Sequence, residues 1–257
     1  MTLTEAQVER YSRQILLPEI GGTGQLRLLE ARVLLVGAGA VGSACATYLA
    51  AAGVGRLGLV DGDVVELSNL HRQTLYGSED VGHPKVEAAR KALVELDPDC
   101  RVEAYPWFFD ERSGPILRDY DVVVDSSDSF STKFLLNDLC VRAGKPFVTA
   151  AVLRFDAQIG TFAGHEPGVP CYRCLFPEPP PRGLWPEERD CGAVGPVGYL
   201  LGALAATEVL KSVLGVGRTL EGRLLVCDAL GSAFREVPVR KDPECPVCSG
   251  GNGRSPR

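Results

Sequence analysis

Short apolar runs alternate with helical patterns over the first 150 residues of the chain. The runs predict β-strands at 32–37, 56–61, 101–107, 121–125 and 146–152. Apolar residues at helical spacing predict helices over 40–53, within 83–98, near 111–119 and near 130–143. Strand–helix alternation of this kind is typical of an α/β fold with a doubly wound, Rossmann-like, mostly parallel sheet.

The pattern changes after residue 153. Further strands are expected near 157–163, 222–228 and 233–239, antiparallel and added to one edge of the sheet. The proline-rich stretch 176–190 predicts a mobile crossover loop, because proline breaks both helices and strand ladders. The apolar stretch 192–215 contains Glu208 and Lys211, which favours a buried core or interface helix over a membrane span. We expect one domain over 1–250 and a disordered tail over 251–257.

Composition narrows the classes of function. The 257 residues are 45% hydrophobic, enough for a sizeable core, and carry a net charge of −6. An acidic chain is not expected to bind nucleic acid or a membrane surface. The polar N-terminus contains no evident signal peptide, so a cytoplasmic location is expected. The nine cysteines are an odd number, so a disulfide framework is not expected.

The sequence GAGAVG at 37–42 joins a predicted strand to a predicted helix. Gly37 and Gly39 permit a tight turn and close approach of a phosphate, and Gly42 permits close packing of helix on strand. Asp61 ends the second strand, where an acidic side chain accepts hydrogen bonds from ribose hydroxyls. Nucleotide binding is favoured over a purely structural turn, although the loop alone does not identify the nucleotide.

Polar residues in the crossover that follows the second strand favour a triphosphate. Asn69, Arg72, Gln73 and Lys85 lie in or just after this crossover. A dinucleotide needs few cations there, whereas release of pyrophosphate requires positive charge near the leaving group. Arg72 and Lys85 suit that role, and the alternative is a pair of solvated surface cations.

Two carboxylates follow the predicted strand 121–125. The carboxyl end of a central parallel strand faces the ligand crevice, so Asp125 and Asp128 are candidates for a magnesium ion that bridges phosphates. The alternative is a cap of the following helix. We assign one aspartate to the cap and the other, Asp128, to the metal.

Two CxxC pairs, Cys171 with Cys174 and Cys245 with Cys248, provide four thiolates for one structural Zn²⁺. Two disulfides are the alternative. Cys45, Cys140 and Cys227 lie in apolar patterns and are expected to be buried. Cys191 ends the proline-rich loop ahead of a glycine-rich helix start, where a thiol can become nucleophilic, and an inert loop cysteine is the alternative.

Together these segments resemble the ThiF/MoeB/HesA family, the bacterial relatives of the adenylation domain of ubiquitin-activating E1 enzymes. The resemblance rests on "RYSRQILLPEIGGTGQLRLLEARVLLVGAGAVGS", "LVDGDVVELSNLHRQTLY", "VGHPKVEAAR", "VVVDSSDS", "CYRC" and "CPVC" and covers residues 8 to 249. It implies adenylation by ATP of the C-terminal glycine of a ubiquitin-like sulfur carrier of the MoaD or ThiS type. It also implies a nucleotide-binding half over about 30–152 and a carrier-binding and zinc half over about 153–250.

The resemblance also implies residue roles. Gly37, Gly39 and Gly42 would line the nucleotide loop, and Asp61 would hold the ribose. Asn69, Arg72 and Lys85 would contact phosphates, and Asp128 would hold Mg²⁺. Arg13 would reach the ATP site of a partner subunit, which predicts a homodimer. Cys191 falls where many members carry a loop cysteine able to form a covalent intermediate.

The chain departs from the family pattern at two positions. Ser129 replaces the usual Asn after the metal aspartate, and Ala40 stands where a third glycine is common. With no C-terminal rhodanese domain, sulfur is expected to come from a separate protein, a cysteine desulfurase or a rhodanese. The pathway could be molybdopterin, thiamine or tRNA thiolation. The remaining alternatives are an NAD- or FAD-dependent oxidoreductase, a non-catalytic E1-like scaffold, and a related dehydratase that acts on a modified tRNA base.

Overall fold

The computed structural model describes residues 2–181 and 192–249. Its strands form one eight-stranded sheet in the order β3-β2-β1-β4-β5-β6-β7-β8. The first five pair in parallel, and β6, β7 and β8 pair antiparallel. The strands are β1 Arg32–Val36, β2 Arg56–Val60, β3 Arg101–Tyr105, β4 Val122–Asp125, β5 Phe147–Leu153, β6 Asp156–Phe162, β7 Arg223–Asp228 and β8 Ala233–Pro238.

Helices cover both faces of the sheet. They are α1 Glu5–Arg10, α2 Ser12–Ile15, α3 Gly21–Glu30, α4 Ala40–Ala51, α5 Lys85–Leu96, α6 Phe130–Ala143, α7 Tyr172–Leu175 and α8 Gly195–Leu214. One buried cluster joins α4, α5 and α8 to the sheet, and a second joins α6 and the Cys171 region to the opposite face. The doubly wound sheet with an antiparallel extension is confirmed. The segment Glu111–Asp119, expected as a helix, is a 3₁₀ helix with Pro115 inside it.

Strand β1 lies between β2 and β4, and the chain leaves β1 toward β2 before it returns to β4. Such a reversal of strand order opens a crevice at the carboxyl ends of the strands, where open α/β sheets bind ligands. The loops after β1, β2 and β4 therefore meet at one place. They carry the glycine loop, Asp61 and Asp128, respectively.

Helix α8 packs against α4 through small residues. A Cβ added at Gly198 would lie 2.8 Å from the Cβ of Ala40, and one added at Gly202 would lie 2.5 Å from the Val41 carbonyl oxygen. Among the described residues α8 alone is long and apolar enough to cross a membrane, but half of its apolar window is buried inside the protein. Its buried Glu208 accepts hydrogen bonds from the Thr161 hydroxyl and the Leu220 backbone, both at 2.7 Å. This helix is part of the core, as the sequence predicts.

Candidate active site

The glycine loop has the close contacts that its residue types require. Gly37 has a φ of 100°, and an added Cβ would lie 2.8 Å from the Ser126 backbone. At Gly42 an added Cβ would lie 2.0 Å from the Gly37 carbonyl oxygen. Gly39 precedes α4 and has no side chain that could cap it. The first N–H groups of α4 are therefore available to a phosphate group.

Three side chains brace this loop. The Asp61 carboxylate accepts hydrogen bonds from the backbone N–H of Ala38 at 2.7 Å and of Asp63 at 2.8 Å. The Tyr76 hydroxyl donates to the Ala38 carbonyl at 2.7 Å, and the Ser126 hydroxyl donates to the Gly37 carbonyl at 2.8 Å. Burial raises the pKa of Asp61. An ionised carboxylate has about four acceptor positions, so Asp61 can still accept ribose hydroxyls.

Gln73 lies beside the loop. It is 3% exposed, and its Nε2 lies 3.8 Å from the position of a Cβ on Gly39. Its backbone N–H donates to the Asn69 carbonyl at 2.9 Å. Among the described residues, nothing donates a hydrogen bond to the buried Oε1 of Gln73. A buried acceptor without a donor is costly, so this atom is suited to meet a bound ligand.

The two predicted cations differ in their surroundings. Lys85 is the first residue of α5 and is 6% exposed, and its ammonium group donates to Asp63 at 2.9 Å. Arg72 is half-buried, and its guanidinium donates to the Ser68 carbonyl at 2.7 Å. A Cβ added at Gly195, the first residue of α8, would lie 3.1 Å from the Arg72 Cα. Helix α8 thus supports the segment that carries Arg72 and Gln73.

The two aspartates at the end of β4 and in the loop after it have different surroundings. Asp125 is fully buried and accepts hydrogen bonds from Lys133 at 2.7 Å, from the Thr149 hydroxyl at 2.6 Å and from the Ser127 hydroxyl at 2.6 Å. These donors occupy it, so it is unsuited to a metal. Asp128 is exposed, as a metal ligand at a crevice mouth can be.

The expected aspartate cap of helix α6 is wrong. Ser129 is the N-cap residue, and its hydroxyl accepts from the Thr132 backbone N–H at 3.3 Å. Serine is as good an N-cap as aspartate, and Ser129, unlike the two aspartates, lies directly before the helix. The residue that departs from the family pattern therefore has a local structural role.

Arg13 lies away from the glycine loop of its own chain. Its neighbour Gln14 donates to the Ala52 carbonyl at 2.9 Å, at the C-terminal end of α4, whereas the glycine loop is at the N-terminal end. The 12 residues of α4 separate the two ends by roughly 18 Å. Arg13 is exposed on α2.

The four predicted metal ligands converge. The Sγ atoms of Cys171, Cys174, Cys245 and Cys248 all lie within 4.8 Å of one another. The closest pairs are Cys174 with Cys248 at 3.4 Å and Cys171 with Cys245 at 3.6 Å. A tetrahedral zinc with bonds of about 2.3 Å would place its sulfurs about 3.8 Å apart. The set fits zinc, and its separations are too long for disulfide bonds of about 2.05 Å.

The remaining cysteines among the described residues are all buried. Cys45, Cys140 and Cys227 are buried as predicted, and so is Cys100. Burial raises the pKa of the Cys45 and Cys140 thiols, which keeps them protonated. Cys191 lies outside the described residues.

Comparison with known proteins agrees with this geometry. Residues 11–247 match the ThiF family. The chain is 50% identical to the sulfur carrier protein adenylyltransferase of Thermus thermophilus, over 96% of this chain and 93% of that protein. It is 47% identical to the mouse adenylyltransferase and sulfurtransferase MOCS3, over 96% of this chain but only 54% of MOCS3.

A solved structure shares the fold. The structure of E. coli MccB with ATP superimposes with a TM-score of 0.80 at 25% identity, over 94% of this chain and 75% of that one. That protein binds ATP on the same α/β architecture.

Proposed function

The chain belongs to the ThiF family, and on this premise we propose that it activates the C-terminal glycine carboxylate of a ubiquitin-like sulfur carrier with ATP. The chain is an enzyme of the adenylyltransferase class, as its relatives are. One observation carries the proposal. The glycine loop, the Asp61 carboxylate that accepts a hydrogen bond from it and the buried Lys85 meet at the carboxyl ends of β1 and β2.

The proposed reaction uses these groups in one displacement. An oxygen of the carrier carboxylate attacks the α-phosphorus of ATP, and the bond from that phosphorus to the β-phosphate oxygen breaks. The products are an acyl-adenylate and pyrophosphate. Negative charge develops on the pyrophosphate, where Lys85 and Arg72 would stabilise it. The first N–H groups of α4 would bind the phosphates, and Asp61 would fix the ribose.

Two metal ions complete the proposal. Asp128 would hold a Mg²⁺ ion, which neutralises phosphate charge when bound. The four cysteines would hold a structural Zn²⁺ that ties the chain's last described residues to α7. An acyl-adenylate is activated for attack by sulfur, so thiocarboxylate formation with a separate sulfur donor is the expected next step. A role for Cys191 in that step, the pathway served and a cytoplasmic location stay predictions.

We further propose a homodimer in which Arg13 serves the partner's site. Its neighbour Gln14 contacts the end of α4 opposite to the glycine loop, and α4 is roughly 18 Å long, which supports this. Subunit mixing tests the idea. Arg13→Ala and Asp128→Ala proteins, each inactive alone, should regain roughly one quarter of the activity after denaturation and joint refolding, because each mixed dimer keeps one intact site. Failure of mixing to restore activity, with dimers still present, would place Arg13 in its own site, and an active Arg13→Ala protein would place it outside catalysis.

The main test is exchange of labelled pyrophosphate into ATP. Exchange should require a small ubiquitin-like protein that ends in Gly-Gly and should disappear when those two glycines are removed. Asp128→Ala should abolish exchange, while Asp119→Ala, a change of an exposed residue before β4, at the opposite end of that strand from the crevice, should not. The proposal fails if unaltered protein gives no exchange with any Gly-Gly carrier of the same cell.

A further inference from the structure

An exposed aromatic ring lies beside the ribose-binding carboxylate. Phe108 is 70% exposed, which is unusual for a phenylalanine. Its ring covers Gly62, the residue after Asp61. A Cβ added at Gly62 would lie 2.7 to 2.8 Å from three ring carbons. Any side chain at position 62 would therefore displace the ring.

Hydrogen bonds fix the backbone next to this ring. The Trp107 backbone N–H donates to the Tyr105 carbonyl at 2.9 Å, which reverses the chain directly after β3. The Asp61 backbone N–H donates to the same carbonyl at 3.3 Å, so the ends of β2 and β3 are tied together. On the other side Phe109 is buried in the second core cluster. One face of the Phe108 ring thus rests on Gly62 while most of its surface meets solvent.

We propose that Phe108 stacks against the base of the bound nucleotide and that Gly62 is required to admit its ring. The inference rests on the proposed function, because Asp61 must hold the ribose. In a nucleoside the base is bonded to the carbon next to the one that bears the 2′-hydroxyl. A ribose held by Asp61 therefore places its base within reach of the ring over Gly62. A flat, exposed ring at that place provides a stacking surface for adenine.

Nucleotide titrations without any carrier protein test this proposal. Phe108→Ala should weaken ATP binding about 5- to 150-fold, the range for loss of one base–aromatic stack. Binding of inorganic tripolyphosphate, which has no base, should not change. Phe108→Tyr keeps the ring and should bind ATP as the unaltered protein does. Phe234→Ala, which removes an exposed ring on β8, is the matched control and should have no effect.

Position 62 provides the second arm of the test. Gly62→Ala should displace the ring and weaken ATP binding, and it should add little once Phe108 is alanine, because both changes remove the same contact. Equal ATP affinity of Phe108→Ala and unaltered protein overturns the inference, and so does an equal loss for tripolyphosphate. If the unaltered protein does not bind ATP, the proposed function and this inference both fail. If the unaltered protein binds ATP and Phe108→Ala binds it equally well, only this inference fails.

Discussion

Replacing Gly198 by alanine should destabilise the protein through a single contact. The new Cβ would lie 2.8 Å from the Cβ of Ala40, about 1 Å closer than two carbons normally approach. Overpacking of this kind costs about 1–3 kcal/mol, and alanine recovers about 1 kcal/mol of helix propensity over glycine. The net loss should be up to about 2 kcal/mol in the free energy of unfolding.

Ala40→Gly should rescue that loss, because it removes the other carbon of the contact. The double variant should lose about 1 kcal/mol less than the sum of the losses of the two single variants, a coupling typical of residues in contact. Gly202→Ala is the matched control. Its new Cβ would lie 2.5 Å from a backbone carbonyl of Val41, which Ala40→Gly does not remove, so no rescue is expected.

Urea denaturation followed by circular dichroism measures these differences, at one protein concentration because a dimer is expected. If Gly198→Ala and Ala40→Gly are additive, the two residues are not in contact as described. ATP affinity provides a second readout, because Ala40 begins the helix whose N-terminus would hold the phosphates. The Gly198→Ala protein should bind ATP more weakly, and the double variant should recover.

Three further outcomes are expected. Lys133→Met should cost about 3 kcal/mol of unfolding free energy, because it leaves the buried Asp125 carboxylate without its ion-pair partner. Adding Asp125→Asn should recover most of this loss. Equal stability of the single and double variants in urea would contradict this. One zinc per chain should be found by atomic absorption, and Cys248→Ser should lower both zinc content and melting temperature; full zinc content would contradict the four-cysteine site. Glu103 has its pKa lowered to about 2, although its burial opposes the shift, because Arg56 and two tyrosine hydroxyls donate hydrogen bonds to it. The ionised Glu103 therefore stabilises the protein fully above pH 4.5, and this stabilisation is lost as the pH falls toward 2. Melting temperatures measured over this pH range should decrease less for Glu103→Gln than for the unaltered protein.

The sequence predicted the strands, helices and most of the crevice, because period-2 and period-3.6 patterns and strand ends carry that information directly. The roles of Tyr76 and Ser126 could not be predicted, since both bind loop carbonyls from elements distant along the chain. The cap at Ser129 could have been found, because the residue directly before the helix has the N-cap position. The contact between Phe108 and Gly62 had no sequence signal, since it joins two different loops.

The packing of α8 on α4 also affects how the protein is made. A ribosome adds about 5–20 residues per second, and 158 residues separate Ala40 from Gly198. The small-residue surface of α4 therefore stays uncovered for roughly 8–30 s during synthesis, until α8 has been made. Until then the nascent nucleotide-binding half presents an uncovered apolar face, at which a chaperone could bind. The crevice is thus completed late in the synthesis of the chain.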